Sequence, residues 1–456
     1  MLKTNSQPLS PEIMDVVRLF DCEDMDFTHY FYADGDNYIN CIEYMGEATR
    51  FCYTCPTHGD IEYKRYAKRS AKLAFYEFLS RFTSKTFPYG ALTGIRPTKL
   101  AYMEIAEGRD YKKLFDLMHV SPENTGFVGR VIEVQRPFYA KKGGQELFIS
   151  LPFCPTKCRY CSFITAPISS TKQYVDAYIS CLEREIASLR PILRDVRSVY
   201  IGGGTPFAIE TQQLGRVYAA INALNLPDCE YTVEAGRPDV FTEEKLQLSK
   251  EYGVNRICVN PQSFSDETLK KIGRNHTAEQ TLTAYYMADK YGFDINIDLI
   301  AGLEGEEVGD FERSLDCAIG LKPANITVHT LSLKAGARLK EETRRLHVEG
   351  IGNMIALSRR KLTQARYEPY YMYRQKYQAG GHENCGWALP GKACAYNIGV
   401  MEEISDNIAV GANAISKRVF AQQNRIERCA SPKDIPTYIA KCDKIISDRL
   451  KLFGAK

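Results

Sequence analysis

Three cysteines fall within eight residues, Cys154-Pro-Thr-Lys-Cys158-Arg-Tyr-Cys161. Gaps of three and then two residues let one loop wrap three thiolates around a compact inorganic centre. Three is one fewer than structural zinc or a fully protein-ligated iron–sulfur cluster takes. Three readings follow from the loop alone. Zinc needs a fourth ligand from elsewhere, and no histidine lies near in sequence. Free thiols so crowded are open to oxidation. A cubane cluster held by three cysteines leaves one iron open to a further ligand.

Other chemistry is scattered along the chain. Gly202, Gly203, Gly204, Thr205 and Pro206 form a run in which the backbone can approach a ligand closely and offer it main-chain groups. Glu234, Gln262, Arg274 and Asp298 are polar residues at or just beyond the ends of β-rich runs. Cys52 and Cys55, followed by His58, could be half of a metal site or a redox pair, with Cys22 and Cys41 as distant helpers. Cys385 and Cys394 flank the sole tryptophan, Trp387. Lys64, Arg65, Lys68, Arg69 and Lys72 recur at helical spacing, which reads first as a solvated helix face.

The elements that would position these groups are legible in the middle of the chain. β-Branched runs bounded by turn signals predict strands over 147–152, 198–201, 230–234, 256–260, 294–300 and 325–331. Between them the 3.6-residue apolar period predicts helices over 174–189, 212–224, 243–252, 278–291 and 311–321. Six such units in series imply a parallel sheet with right-handed crossovers, either doubly wound or curled into a full or partial (βα) barrel. In both, functional residues gather at the C-terminal strand ends. The cysteine loop follows the first strand and the glycine run follows the second.

At these residues the chain resembles the radical S-adenosylmethionine superfamily, whose fold is a full or partial (βα) barrel. The likeness is closer to the oxygen-independent coproporphyrinogen III oxidase family, on LFISLPFCPTKCRYCSF (147–163), VYIGGGTP (199–206), VNPQSF (259–264), KIGRNHT (271–277) and NIDLIAGLEGE (296–306). TVEAGRPD (232–239) and PYYMYRQK (369–376) resemble the branch called coproporphyrinogen dehydrogenase HemZ, as does LTGIRPTKL (92–100). The resemblance implies that Cys154, Cys158 and Cys161 hold a [4Fe–4S] cluster. It further implies that Phe148, Gly202, Gly203, Gly204, Thr205, Glu234, Gln262, Arg274 and Asp298 line the site for one or two molecules of S-adenosylmethionine. The implied partners are coproporphyrinogen III or a related tetrapyrrole, and an electron donor such as flavodoxin or ferredoxin.

At three positions the chain departs from the decarboxylating enzymes: Phe163 stands for a fourth cysteine, Phe148 for a tyrosine, and Glu304 for the proline of a GLP segment. Related haem chaperones also carry phenylalanine at the first of these. The expected reaction is oxidation of two propionates to vinyl groups. A haem chaperone, with His329 and His382 as candidate axial ligands, is the alternative, and another radical modification of a tetrapyrrole is the third reading. Arg237, Lys334, Arg338, Arg374 and Lys376 are candidates for the substrate carboxylates, and the tyrosine-rich stretch 367–377 for covering a macrocycle.

Composition sets the frame. The 456 residues imply about three domains: an N-terminal domain over 1–140, the barrel over 145–340, and a C-terminal α+β substrate-covering domain over 345–456. A formal charge of +3, from 59 basic and 56 acidic residues, argues against nucleic acid as the main partner. With no apolar leader at the start and no apolar run near a membrane span, the expectation is a cytoplasmic protein without membrane insertion. The 15 cysteines are an odd number, so free thiols and metal ligands are expected rather than a disulfide framework.

Overall fold

The computed structural model describes residues 1–56, 59–94, 96–162, 166–334, 336–343, 349–375, 378–423 and 425–454. The chain divides into two compact units, Met1–Gly129 with Tyr373–Glu383, and Arg130–Met372 with Asn384–Lys456.

In the first unit β1 (Leu2–Thr4), β2 (Phe27–Asp34), β3 (Asn37–Tyr44) and β4 (Glu47–Thr54) form one sheet in that order. β1 runs parallel to β2 and the other pairs are antiparallel. The turn between β3 and β4 places Met45 and Gly46 at φ of 52° and 82°, the left-handed pair that a two-residue hairpin needs. Helices Ser10–Leu19 and Asp60–Thr83 bury Ile13, Val16, Phe75 and Leu79 in the core with Phe27. The basic face expected on the second helix is there, but paired: Arg65 bonds Glu107, Lys68 and Lys72 bond Glu12, and Arg69 bonds Glu104.

Among the described residues the second unit holds one sheet of eleven strands and a separate two-stranded pair. In chain order they are β5 (Gln145–Leu151), then a separate short pair β6 (Phe153–Cys154) and β7 (Ala166–Pro167), then β8 (Val196–Gly203), β9 (Glu230–Gly236), β10 (Arg256–Val259), β11 (Asp294–Ala301) and β12 (Asn325–Thr330). They continue with β13 (Glu368–Tyr373), β14 (Asn384–Ala388), β15 (Asp406–Val410), β16 (Ile415–Phe420) and β17 (Arg425–Ala430). The sheet order is β13-β14-β12-β11-β10-β9-β8-β5-β15-β16-β17. The six expected strands are its parallel centre.

Period-two patterning explains why this centre folds as it does. Leu147, Ile149, Val199, Ile201, Val233, Ile257, Ile295, Ile297, Ile326 and Val328 are all buried, and they alternate with Phe148, Tyr200, Glu234, Cys258, Asp298 and His329. One face is therefore an apolar bed for the crossover helices. Each fully buried Val, Leu or Ile there contributes about 1.5–3 kcal/mol. The opposite face carries the chemistry.

Two boundaries differ for local reasons. β8 continues through Gly202 and Gly203, which read as a turn in sequence, because β5 pairs with it as far as Leu151 opposite Gly203. The last crossover helix starts at Val308, not 311, because Glu307 and Asp310 form a capping box. The larger difference is the C-terminal stretch. There β14 adds antiparallel to β12, β15 adds parallel to β5, and the segment Tyr373–Glu383 belongs to the first unit. These strands read as a break in the βα rhythm, since their pairing partners lie far away in sequence. No described helix is long and apolar enough to cross a membrane.

Candidate functional site

The cysteine loop leaves the end of β5 and is tied down on several sides. Gly204 N donates to Leu151 O at 2.8 Å and Thr205 N to Phe153 O at 2.7 Å, so the glycine turn after β8 grips the base of the loop. Arg237, at the end of β9, donates to Thr156 Oγ1 at 2.6 Å. Arg159, between the second and third cysteines, donates to Lys271 O at 3.0 Å, to Glu304 at 2.8 Å and to Glu342 at 2.5 Å. Its own backbone is held by Ile272 and Leu339. Tyr160 packs on an apolar cluster that includes Leu269, Ile300, Leu331 and Leu339.

Cys154 and Cys158 are buried and Cys161 is half-buried. Burial pushes the Cys154 thiol up to about 12, against a hydroxyl donated by Thr205 at 3.4 Å, with Cys161 and Cys158 adding to the rise. Any cation that loads here must displace a proton. Among the described residues no three His, Cys, Asp or Glu side chains gather around a point that suits a single ion. Tetrahedral zinc thiolates need sulfurs about 3.8 Å apart. A cubane sets its ligand sulfurs wider than a single ion does.

The glycine turn is shaped by what lies against it. A Cβ on Gly202 would stand 2.7 Å from Glu234 Oε2 and 2.8 Å from the Tyr200 ring. On Gly204 it would stand 2.6 Å from Phe153 O. Glu234 is half-buried, and burial together with the Asp298 charge pushes its carboxyl up to about 8. Asp298 in turn lies 3.6 Å from His329 Nε2. Gln262 adopts a left-handed φ of 71° and bridges to β11, its N–H donating to Asp298 O at 3.0 Å. Arg274 donates Nη1 to the backbone oxygens of Asn260 and Pro261.

At this strand end the buried atoms Asn260 Oδ1, Gln262 Oε1 and Arg274 Nε have no hydrogen-bond partner among the described residues. Burying such groups unpaired costs free energy, so the site fits a ligand that brings hydrogen-bonding groups of its own. His276 is buried there too, both ring nitrogens unpaired, its pKa lowered to about 3 by burial and then by Arg274. Its burial, not any spacing, is what marks it, and sequence reasoning missed it.

A second feature was not legible in sequence. Phe148, Tyr200 and Tyr396 lie with ring planes within 25° of one another, and Tyr396 stands 4.4 Å from Tyr200. Beside them a cavity of about 250 Å³ is lined by Phe148, Ser150, Pro152, Gly203 and Tyr396 on one side and by Asn407, residues 412–415 and Lys417 on the other.

Several sequence candidates are taken up internally. Arg237 is buried and bidentate to Asp239, in addition to Thr156. Arg374 belongs to the first unit, where it donates to Leu92 O and Gly381 O, lies over the Tyr89 ring, and is lowered to about 10 by burial. It thus anchors the LTGIRPTKL segment, for which the sequence offered no chemistry. Tyr367, Tyr370 and Tyr371 are core residues, not a cover for a flat ligand: Tyr367 donates to Pro323 O, and the Tyr371 ring fills the space above Gly386. Arg338 is exposed, and Lys334 is near enough to Cys161 for their charges to interact. His329 and His382 fall in different units. Cys394 donates to Glu230 and Cys385 to Gly386 O. Phe163, Lys376, Tyr377 and His58 lie outside the described residues.

Comparison with known proteins gives this arrangement its relatives. The Radical SAM superfamily profile matches residues 148–318. The chain is 34% identical to the oxygen-independent coproporphyrinogen-III oxidase-like protein HemZ of Bacillus subtilis, over 85% of this chain and 81% of that protein. It is 36% identical to the heme chaperone HemW of the same organism, over 41% of this chain and 50% of the relative. Among solved structures, coproporphyrinogen III oxidase (HemN) from Escherichia coli shares the fold, with a TM-score of 0.54 and 21% identity over 68% of this chain and 71% of that one. A partial radical SAM barrel with the cysteine loop at its mouth, and a relative matched along most of both chains, lead to one conclusion: the chain belongs to the radical SAM superfamily and, within it, to the oxygen-independent coproporphyrinogen-III oxidase-like family of HemZ.

Proposed function

We propose that the protein is a cytoplasmic radical S-adenosylmethionine oxidoreductase that converts propionate side chains of coproporphyrinogen III to vinyl groups. The observation that carries this reading is the meeting, at one end of one sheet, of the cysteine loop, the glycine turn and a set of unpaired buried polar atoms. Cys154, Cys158 and Cys161 would hold a [4Fe–4S] cluster. Phe148, Gly202, Gly203, Gly204, Thr205, Glu234, Gln262, Arg274 and Asp298 would line the site for S-adenosylmethionine. Together these groups supply, when bound, a 5′-deoxyadenosyl radical able to take a hydrogen atom from substrate.

The chain's own residues do the rest. Gly202 leaves room beside Glu234 that any side chain would fill. Gln262 presents an unpaired acceptor, and its left-handed backbone sets the direction of that side chain. Arg159, Arg237 and Thr205 fix the cysteine loop against three strand ends and so limit its exchange with solvent. Loss of carbon dioxide from the substrate leaves one electron for an external acceptor, and flavodoxin or ferredoxin would supply the activating electron.

A heme-carrying role is the second reading, favoured by the likeness to HemW over 41% of this chain. Anaerobic incubation of the reconstituted protein with coproporphyrinogen III, S-adenosylmethionine and a reductant separates the two. Protoporphyrinogen and released carbon dioxide support the oxidase; heme retained on the protein with no turnover supports the carrier. A methylated or ring-opened product points to a different radical reaction.

A further inference from the structure

The cavity beside the aromatic stack has features that a cofactor wall does not require. Its volume, about 250 Å³, lies below the ~300–1,000 Å³ of sites that enclose a drug-sized ligand. It has room for one substituted five-membered ring, not for a macrocycle. One wall is the near-parallel set of rings that includes Phe148 and Tyr396, their centroids 6.1 Å apart. The other wall comes from β15 and β16. Register puts Asn407 opposite Glu146 and Ala409 opposite Phe148 on β5, and Lys417 opposite Asn407, so Asn407 and Lys417 face the same side as Phe148.

Asn407 is buried; its Nδ2 donates to Ile415 O at 3.2 Å, while Oδ1 has no partner among the described residues. Lys417 is the cation among the lining residues and donates to Glu403 at 3.2 Å. Arg428, its cross-strand neighbour, lies 3.8 Å from the same carboxylate. The rim is held from behind: Gly411 N donates to Glu185 at 2.8 Å and Ala412 N to Tyr178 at 2.9 Å. Such pinning lowers the ordering cost of binding. Arg237 and Arg374, two of the cations that sequence offered for carboxylate recognition, do not line this cavity.

We propose that this cavity receives one propionate-bearing pyrrole ring of the tetrapyrrole, the carboxylate on Lys417, the ring N–H on Asn407 Oδ1, and the ring face against Phe148 and Tyr396. This rests on the tetrapyrrole reading above and names the residues that would recognise the substrate. Pyrrole carries an N–H donor and a flat π face, and the cavity supplies an acceptor and an aromatic wall. The propionate brings the anion that Lys417, shared with Glu403 and Arg428, can bind through charge-assisted hydrogen bonds.

The test uses the full-length protein, its cluster reconstituted anaerobically, titrated with coproporphyrinogen III and with its tetramethyl ester. Wild type is expected to prefer the free acid, with affinity that falls as salt rises. Lys417→Met is expected to lose about tenfold or more on the acid, the scale of a hydrogen bond to a charged group, and nothing on the ester. Lys417→Arg retains the acid within a few fold. Asn407→Leu weakens acid and ester alike, because both carry the N–H. Equal affinity of wild type and Lys417→Met for the acid overturns the proposal and leaves the tetrapyrrole reading standing. Absence of any binding to wild type overturns both. Should Lys417→Met fail to fold, Asn407→Leu and the salt dependence of wild type decide, and unchanged affinity in the first with salt-independent binding in the second rejects the subsite.

Discussion

Gly202→Ala isolates the fit of the glycine turn from every other property of the site. Gly202 does not occupy the left-handed region, so alanine meets no backbone strain there. The added methyl would stand 2.7 Å from Glu234 Oε2 and 2.8 and 3.2 Å from two atoms of the Tyr200 ring. Those are side chains that can give way, unlike the backbone oxygens facing Gly204, so the protein should fold. Overpacking of this kind costs about 1–3 kcal/mol. Because Glu234 and Tyr200 must shift into the space the ligand would use, most of that cost should fall on binding. At 1.4 kcal/mol per tenfold, S-adenosylmethionine should bind about 5- to 150-fold more weakly, with iron content and thermal midpoint close to wild type. Equilibrium dialysis under anaerobic conditions reads this directly. Undiminished affinity in a folded, cluster-loaded Gly202→Ala protein would show that the turn does not face the ligand.

Other perturbations follow from the same geometry. Arg159→Met removes the ties to Glu304 and Glu342, which are largely exposed and worth about 0–1 kcal/mol each; thermal stability should barely change while iron is lost faster in air, and equal iron retention would rule the tie out. Arg449→Met breaks a buried pair with Glu185 at 2.6 Å, and leaving Glu185 uncompensated should cost about 3–5 kcal/mol by denaturant unfolding. Glu234, raised to about 8, binds its proton more tightly folded than unfolded. Stability should therefore fall as pH rises from the ordinary carboxylate range through about 8, by up to about 5 kcal/mol at 1.36 kcal/mol per unit. Glu234→Gln should flatten that slope, and urea midpoints at pH 6 and pH 8.5 compare the two proteins; parallel slopes would contradict the assignment.

What could be read from the residues, and what could not, has a physical pattern. The six central strands and their helices were visible because each is local: a β-branched run alternates faces, and an amphipathic run repeats every 3.6 residues. Cys154, Cys158 and Cys161 were visible for the same reason, since one loop carries all three. Glu234, Gln262 and Asp298 were found as polar residues at successive strand ends. Tyr396, Asn407 and Lys417, which line the cavity beside Phe148, were not, because contacts distant in sequence put them there: β15 pairs with β5, more than 250 residues away. Arg374 misled for the opposite reason. A lone arginine in a tyrosine-rich segment looks available for an anion, yet its donors close on Leu92 O and Gly381 O.

The most direct measurement is electron paramagnetic resonance of the anaerobically reconstituted, reduced protein before and after S-adenosylmethionine. A cubane held by three protein thiolates should give about four irons per chain and a signal that changes when the ligand is added, and Cys158→Ala should lose both while remaining folded. A wild-type protein with no iron, or a signal indifferent to the ligand, would contradict the account.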